Sequence, residues 1–156
     1  MKAVIPERYT AQMDDSFVVF VSGMRINRPS AVSKWLPVAR AMGGMLKELY
    51  ENKELGFLGT ESFFNGRTTL QIQYWKSFEA LEHYACHASF HVETRKNTNL
   101  KSSKNESVGI FHETYVIEKG QYESVYVNMP RFGLAKAGES IPVNRQRETA
   151  QARMKS

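Results

Sequence analysis

Thr68-Thr69-Leu70-Gln71-Ile72-Gln73-Tyr74-Trp75 runs straight into Lys76-Ser77-Phe78-Glu79-Ala80-Leu81-Glu82-His83-Tyr84-Ala85. The first eight residues alternate in character and favour β-branched and aromatic side chains, the pattern of a strand. Ser77 opens a helix, with Phe78, Leu81 and Ala85 as its apolar stripe. Leu70, Ile72 and Tyr74 share one strand face, which is expected to pack under helices. Thr69, Gln71, Gln73 and Trp75 share the other. That set is too polar for a sealed core and is expected to face a cavity or a partner subunit.

The surrounding chain supplies matching elements. Phe57 to Asn65 reads as a strand joined to Thr68–Trp75 by Asn65-Gly66, a type I′ hairpin signal with positive φ at both central positions. Upstream, Leu36 to Tyr50 reads as a helix with Pro37 in its first turn and a stripe of Val38, Met42, Met45 and Leu49. Gly43-Gly44 in its middle implies a close neighbour there. Phe17-Val18-Val19-Phe20-Val21 reads as a strand buried on both faces. Downstream, a kink over Cys86 to Ser89 precedes a further helical piece to about Leu100 and a polar loop over Lys101 to Ser107. A strand from Val108 to Glu118 and a last strand from Tyr122 to Met129 follow.

The order strand, helix, strand, strand, helix, strand matches the ferredoxin-like split β-α-β unit. The fold class is therefore α+β, with an antiparallel sheet and both helices on one face. The other face needs cover, and a second copy of the chain is the natural cover, giving a symmetric homodimer. Residues 1–143 form the domain, with a C-terminal arm from about 130 reaching over the cavity mouth or a neighbouring subunit. Residues 144–156 are a basic tail.

Composition narrows the functional classes. The 156 residues are 42% hydrophobic and 24% charged, ordinary values for a globular protein. Net charge is +5, of which the tail beyond Asn144 carries +3. Neither the tail nor Arg95, Lys96, Lys101 and Lys104 interleave cations with stacking aromatics, so a nucleic-acid partner is not expected. No stretch reaches a membrane-spanning length. The single Cys86 suits a reducing compartment, and a cytoplasmic setting is expected.

His83, His87 and His91 recur every four residues, one side of an unbroken helix. They are candidate metal or haem ligands, but the glutamate of the helical zinc motif is absent and a kink would split their face. Otherwise His83 is exposed, His87 caps the kink and His91 lies at the cavity rim. His112 and Glu113 interrupt an apolar strand and point to opposite faces. His112 is a candidate base or axial ligand and Glu113 a candidate acid; alternatively one of them pairs with an arginine such as Arg25. Trp75, Phe111, Tyr115 and Tyr126 around Gln71, Gln73 and Asn128 suit a pocket for a flat hydrophobic molecule. No Ser-His-Asp order, phosphate-binding glycine loop or cysteine metal cluster is present, so hydrolase and nucleotide-dependent classes fit poorly.

Tyr74-Trp75-Lys76-Ser77-Phe78-Glu79-Ala80-Leu81, with His91 beyond, resembles the same corner of antibiotic-biosynthesis-type monooxygenases, which are dimeric α+β barrels. A closer resemblance is to the bacterial and fungal family named after a monooxygenase-like protein of the fumagillin pathway. It is carried by Phe17-Val18-Val19-Phe20 leading to Gly23-Met24-Arg25-Ile26-Asn27, by Gly109-Ile110-Phe111-His112-Glu113-Thr114-Tyr115, and by Tyr126-Val127-Asn128-Met129-Pro130. It covers about residues 7 to 143. The resemblance implies a monooxygenase-like oxidoreductase acting on a small hydrophobic molecule in a barrel cavity. His112, His91 and Glu113 are then the catalytic candidates, with no cofactor. A more distant similarity to haem-containing aldoxime dehydratases implies the alternative of haem held by His112 or His91. A non-enzymatic dimeric ligand-binding module is the third reading.

Overall fold

A computed structural model of the chain describes residues 3–87 and 106–155. Four strands form one antiparallel sheet: β2 (Phe17–Ile26), β3 (Phe57–Asn65), β4 (Thr68–Trp75) and β5 (Val108–Ile117), in the order β3-β4-β2-β5. With helices α1 (Val32–Glu51) after β2 and α2 (Phe78–His87) after β4, this is the ferredoxin-like arrangement expected of the sequence. Ser77 Oγ accepts the Ala80 N–H at 3.1 Å and starts α2 as its side-chain chemistry dictates.

The helices and the sheet meet over one apolar cluster. Val18 of β2, Phe57 of β3 and Trp75 of β4 pack with Leu49 of α1 and with Leu81 and Tyr84 of α2. Trp75 is 0% exposed. The expected faces of β4 are therefore reversed: Trp75, Gln73 and Gln71 lie under the helices, and Tyr74 packs on the opposite side. The amides are sheltered because they hydrogen-bond one another and the indole, which removes the cost of burying them.

Smaller departures have local causes. α1 begins at Val32, so Pro37 sits inside the helix and not in its first turn. The hairpin turn is centred on Gly66 and Arg67, and only Gly66 takes positive φ (57°), so the glycine serves the first central position alone. A side chain at Gly43 would meet open space; the tight approach lies at Gly56 (φ 82°), whose hypothetical Cβ falls 2.8 Å from Ala80 Cβ. Phe78 is exposed, and the buried side of α2 is Leu81 and Tyr84. The last long strand is shorter than its sequence suggests, covering Tyr126–Met129 (β6). The kink and helical piece expected after His87 lie outside the described residues.

A second sheet, order β6-β1-β7, joins β1 (Ile5–Gln12) to β6 and to β7 (Glu139–Pro142). Nothing in Ile-Pro-Glu-Arg-Tyr-Thr-Ala-Gln announces a strand; its partners stand more than a hundred residues away. With the short helix α3 (Leu134–Ala137), this layer packs Tyr9, Ala11, Met13, Leu134 and Ala135 onto Phe17, Val19, Leu58, Tyr74 and Ile117. The chain thus covers part of its own outer sheet face. Glu61 of β3 fastens the arm: its carboxylate accepts the Gly133 N–H at 3.2 Å and lies 3.6 Å from Lys136 Nζ. Gly133 takes φ 56°, and its backbone passes so close that a Cβ would sit 3.2 Å from the Tyr74 hydroxyl.

Burial pushes the Tyr74 phenol up to about 12, and the nearby Tyr126 and Glu61 add to this. Burial likewise raises Tyr84, with Glu48 beside it adding to the shift. Unfolded tyrosines ionise near pH 10. The preference of the fold for neutral phenols is fully met below that pH. Stability is expected to fall as pH rises from about 10 through about 12, because only the unfolded chain ionises freely there. Urea midpoints measured across this window should drop less steeply in Tyr74→Phe than in the parent.

Candidate functional site

Opposed residues of antiparallel strands share a face, so the register defines rows across the helix-facing surface. One row holds Phe57, Trp75, Val18 and Val116; the next holds Thr60, Gln73, Phe20 and Thr114. The third holds Ser62, Gln71, Ser22 and His112. The surface therefore passes from a sealed apolar row at Trp75 to a wholly polar third row, beyond which a fourth row holds Phe64, Thr69, Met24 and Ile110, with Met24 buried.

A buried hydrogen-bond chain links the rows along β4. Trp75 Nε1–H donates to Gln73 Oε1 at 3.1 Å, and Gln73 Nε2–H donates to Gln71 Oε1 at 3.2 Å. Gln73 is 7% exposed and Gln71 8%. Thr60 Oγ1 donates to the Ile72 carbonyl at 3.1 Å, which occupies the hydroxyl nearest Gln73. Of the four polar positions in the third row, Gln71 is the most deeply buried.

His112 lies in that row on the edge strand. Its ring centroid is 5.6 Å from that of Phe20, tilted by 34°. The imidazole is exposed and has no hydrogen-bond partner among the described residues. It is available for proton transfer or for ligation. Ser22 stands between it and Gln71, each on an adjacent strand about 5 Å away. Ser22 escaped the sequence reading, although it is the lone polar residue in Phe17-Val-Val-Phe-Val-Ser-Gly-Met24 and marked a position worth testing.

The structure separates the other candidates. Glu113 lies on the outer face and accepts the Tyr115 hydroxyl at 2.5 Å, so these two occupy each other. Phe111 and Arg25 share that outer face, where Arg25 Nη1 donates to Thr68 Oγ1 at 3.2 Å. Tyr126 and Asn128 belong to β6 in the second sheet, with Tyr126 stacked on Tyr9 at 5.0 Å. Trp75 is sealed in the core and touches no ligand directly. His91 lies outside the described residues, as does the third ligand of any histidine run. Among the described residues no three His, Cys, Asp or Glu side chains converge on a metal position.

The amide chain is energetically exposed at its middle. Gln73→Leu keeps the volume but strands the Trp75 N–H and the Gln71 carbonyl. A loss of about 1–3 kcal/mol in unfolding free energy is expected by chemical denaturation, against little change for Ser62→Ala on the open rim.

Comparison with known proteins follows this geometry. A family model described as "Monooxygenase af470-like" matches residues 17–134, which contain the whole four-stranded sheet and its helices. Monooxygenase af470 of Aspergillus fumigatus is 34% identical over 123 residues, covering 72% of this chain and 43% of that protein. Among solved structures, an aldoxime dehydratase in complex with butyraldoxime superposes with a TM-score of 0.71 at 16% identity, covering 88% of this chain and 42% of its own. Another aldoxime dehydratase gives 0.69 at 17% identity, covering 88% and 43%. The chain thus spans less than half the length of these relatives, and at such identity the two structures speak to the fold alone. The match to the family model extends over most of the chain, and the chain belongs to the monooxygenase af470-like family.

Proposed function

We propose that the polar row of Ser62, Gln71, Ser22 and His112 on the helix-facing surface is the active centre of a monooxygenase-type oxidoreductase acting on a small hydrophobic organic molecule. The observation that carries this reading is His112, an exposed imidazole with no hydrogen-bond partner among the described residues, in one row with Ser22 and Gln71. Membership of the family supports it. A neutral imidazole takes a proton from an acidic C–H of the substrate. The hydroxyl of Ser22 and the amide of Gln71 hydrogen-bond the oxygen on which negative charge collects. Phe20, beside His112, offers a flat apolar surface to the substrate body. The electron pair left on carbon forms a C–O bond with dioxygen, and the peroxide anion takes the proton back from His112. Where that carbon bears a second hydrogen, loss of water leaves a carbonyl.

An oxygen electrode tests this with phenolic and 1,3-dicarbonyl compounds. Substrate-dependent uptake should fall at least about 100-fold in His112→Ala, while the folded CD spectrum is kept. Uptake unchanged by the substitution, or absent with every compound, overturns the reading.

Haem is the second reading, favoured by the same free imidazole. His112 would offer a nitrogen to the iron and Phe20 an adjacent apolar ring to the macrocycle. When bound, haem would supply an iron centre for oxygen or oxime-type ligands; the protein would contribute the His112 nitrogen and the donors of Gln71 and Ser22. A Soret band on hemin titration, lost in His112→Ala, would select this reading over cofactor-free chemistry.

The proposal includes a homodimer in a cytoplasmic setting. The outer face is covered by the second sheet only in part: Phe63 and Tyr115 remain 46% and 48% exposed, with Val21, Leu70, Ile72 and Phe111 between them. The matched aldoxime dehydratases have more than this chain's length outside the matched part, room for a second such unit. No helix among the described residues is long and apolar enough to cross a membrane, and Cys86 is exposed and free. Sedimentation should give twice the chain mass, reverting to a monomer in Ile72→Glu/Phe111→Glu. A monomeric parent protein would refute the dimer.

A further inference from the structure

The amide chain along β4 has only one possible polarity. An indole nitrogen donates and never accepts, so Gln73 must turn its carbonyl oxygen to Trp75. Its NH2 then faces Gln71 and is met by the Gln71 carbonyl oxygen. Both carbonyl oxygens are thereby turned inward along the chain. What remains at the far end is the NH2 of Gln71, which donates to nothing among the described residues and is open to solvent, although the residue as a whole is only 8% exposed. A neighbouring donor, the Ser22 hydroxyl, stands opposite Gln71 on β2, with His112 next in the row.

We infer that Gln71 is a donor-only subsite whose orientation is imposed by Trp75 through Gln73, and that it takes a ligand oxygen bearing negative charge, of the phenolate or enolate class. The inference rests on the helix-facing row being the ligand face and deepens that reading by fixing the polarity of the group recognised. A free glutamine presents donors and acceptors equally, because its amide flips at little cost; here the flip is blocked, since it would set Gln73 Nε2–H against the indole N–H and leave two buried donors facing each other. Trp75 is consequently a positioning residue. It never touches the ligand, yet it decides that the site offers hydrogen and not a lone pair. A ligand presenting a hydroxyl proton to Gln71 is disfavoured; one presenting an oxyanion is favoured, and its ionisation is assisted at neutral pH.

The probe is 4-nitrophenol, whose ionisation is read by its visible absorbance, with 4-nitrotoluene as the isostere lacking the oxygen. Bound to the full chain, nitrophenol should ionise at lower pH than in free solution. Gln71→Leu should weaken nitrophenolate binding about tenfold or more, as befits loss of a hydrogen bond to a charged acceptor. Gln71→Glu should weaken it further and raise the ionisation pH of the bound probe. Trp75→Phe keeps an aromatic side chain, though a smaller one, removes the N–H, and should lose part of the same preference. Nitrotoluene affinity should stay level across all variants, which a merely structural role for these residues would not allow. Equal losses for both probes overturn the inference, as does a wild-type protein that binds nitrophenol with no preference for its anion or fails to bind it. No turnover is required, so an inactive His112→Ala variant that still prefers the anion separates this result from the proposed chemistry.

Discussion

Burial of the Trp75 indole is the constraint from which the rest follows. The ring completes the packing of Leu49, Phe57, Leu81 and Tyr84, locking both helices to the sheet. Its N–H cannot be left unpaired in that core without a penalty comparable to a lost hydrogen bond. The acceptor is Gln73, two residues earlier and hence on the same strand face, and the amide of Gln73 in turn needs Gln71. Core packing and the orientation of the Gln71 amide are one continuous arrangement.

The two sheet faces divide the labour. The helix-facing side passes from the apolar row of Trp75 to the polar row of Gln71, Ser22 and His112. The outer side is divided between the chain's own second sheet and an uncovered apolar area. Glu61 is central to that division, since its carboxylate holds Gly133 and Lys136 and so ties the arm over Tyr74 and Leu58. Residues that look alike in sequence consequently part company. His112 and Glu113 are neighbours in the chain, but one lies in the helix-facing polar row and the other, on the outer face, pairs with Tyr115 two residues along the same strand.

Much of the architecture was legible in the residues. The Trp75–Ser77 corner, the hairpin and the apolar stripe ending at Leu49 specify a ferredoxin-like unit because each depends on local periodicity and turn chemistry. His112 stood out as well, being costly inside a buried strand; the structure places it exposed on the edge strand, where that cost is not incurred. Other features left no local trace. Ile5–Gln12 has no strand pattern and is one only because residues 126–142 lie beside it. Ser22 reads as an ordinary interruption until register aligns it with Gln71 and His112.

The alternation in Thr68–Trp75 by itself determined that β4 has two faces and which residues share each of them. Polarity argued that the Leu70, Ile72 and Tyr74 face lay under the helices, and tertiary structure put the glutamine face there instead. Strand periodicity is symmetric between the two sides of a sheet, so it contains no information on where the helices land. That choice was made by Trp75, whose area packs best under α1 and α2, and by a hydrogen-bond chain that makes two glutamines acceptable beside it. Which atoms remain free to meet a ligand is likewise a property of the folded chain: an amide has no preferred end until its partners are in place.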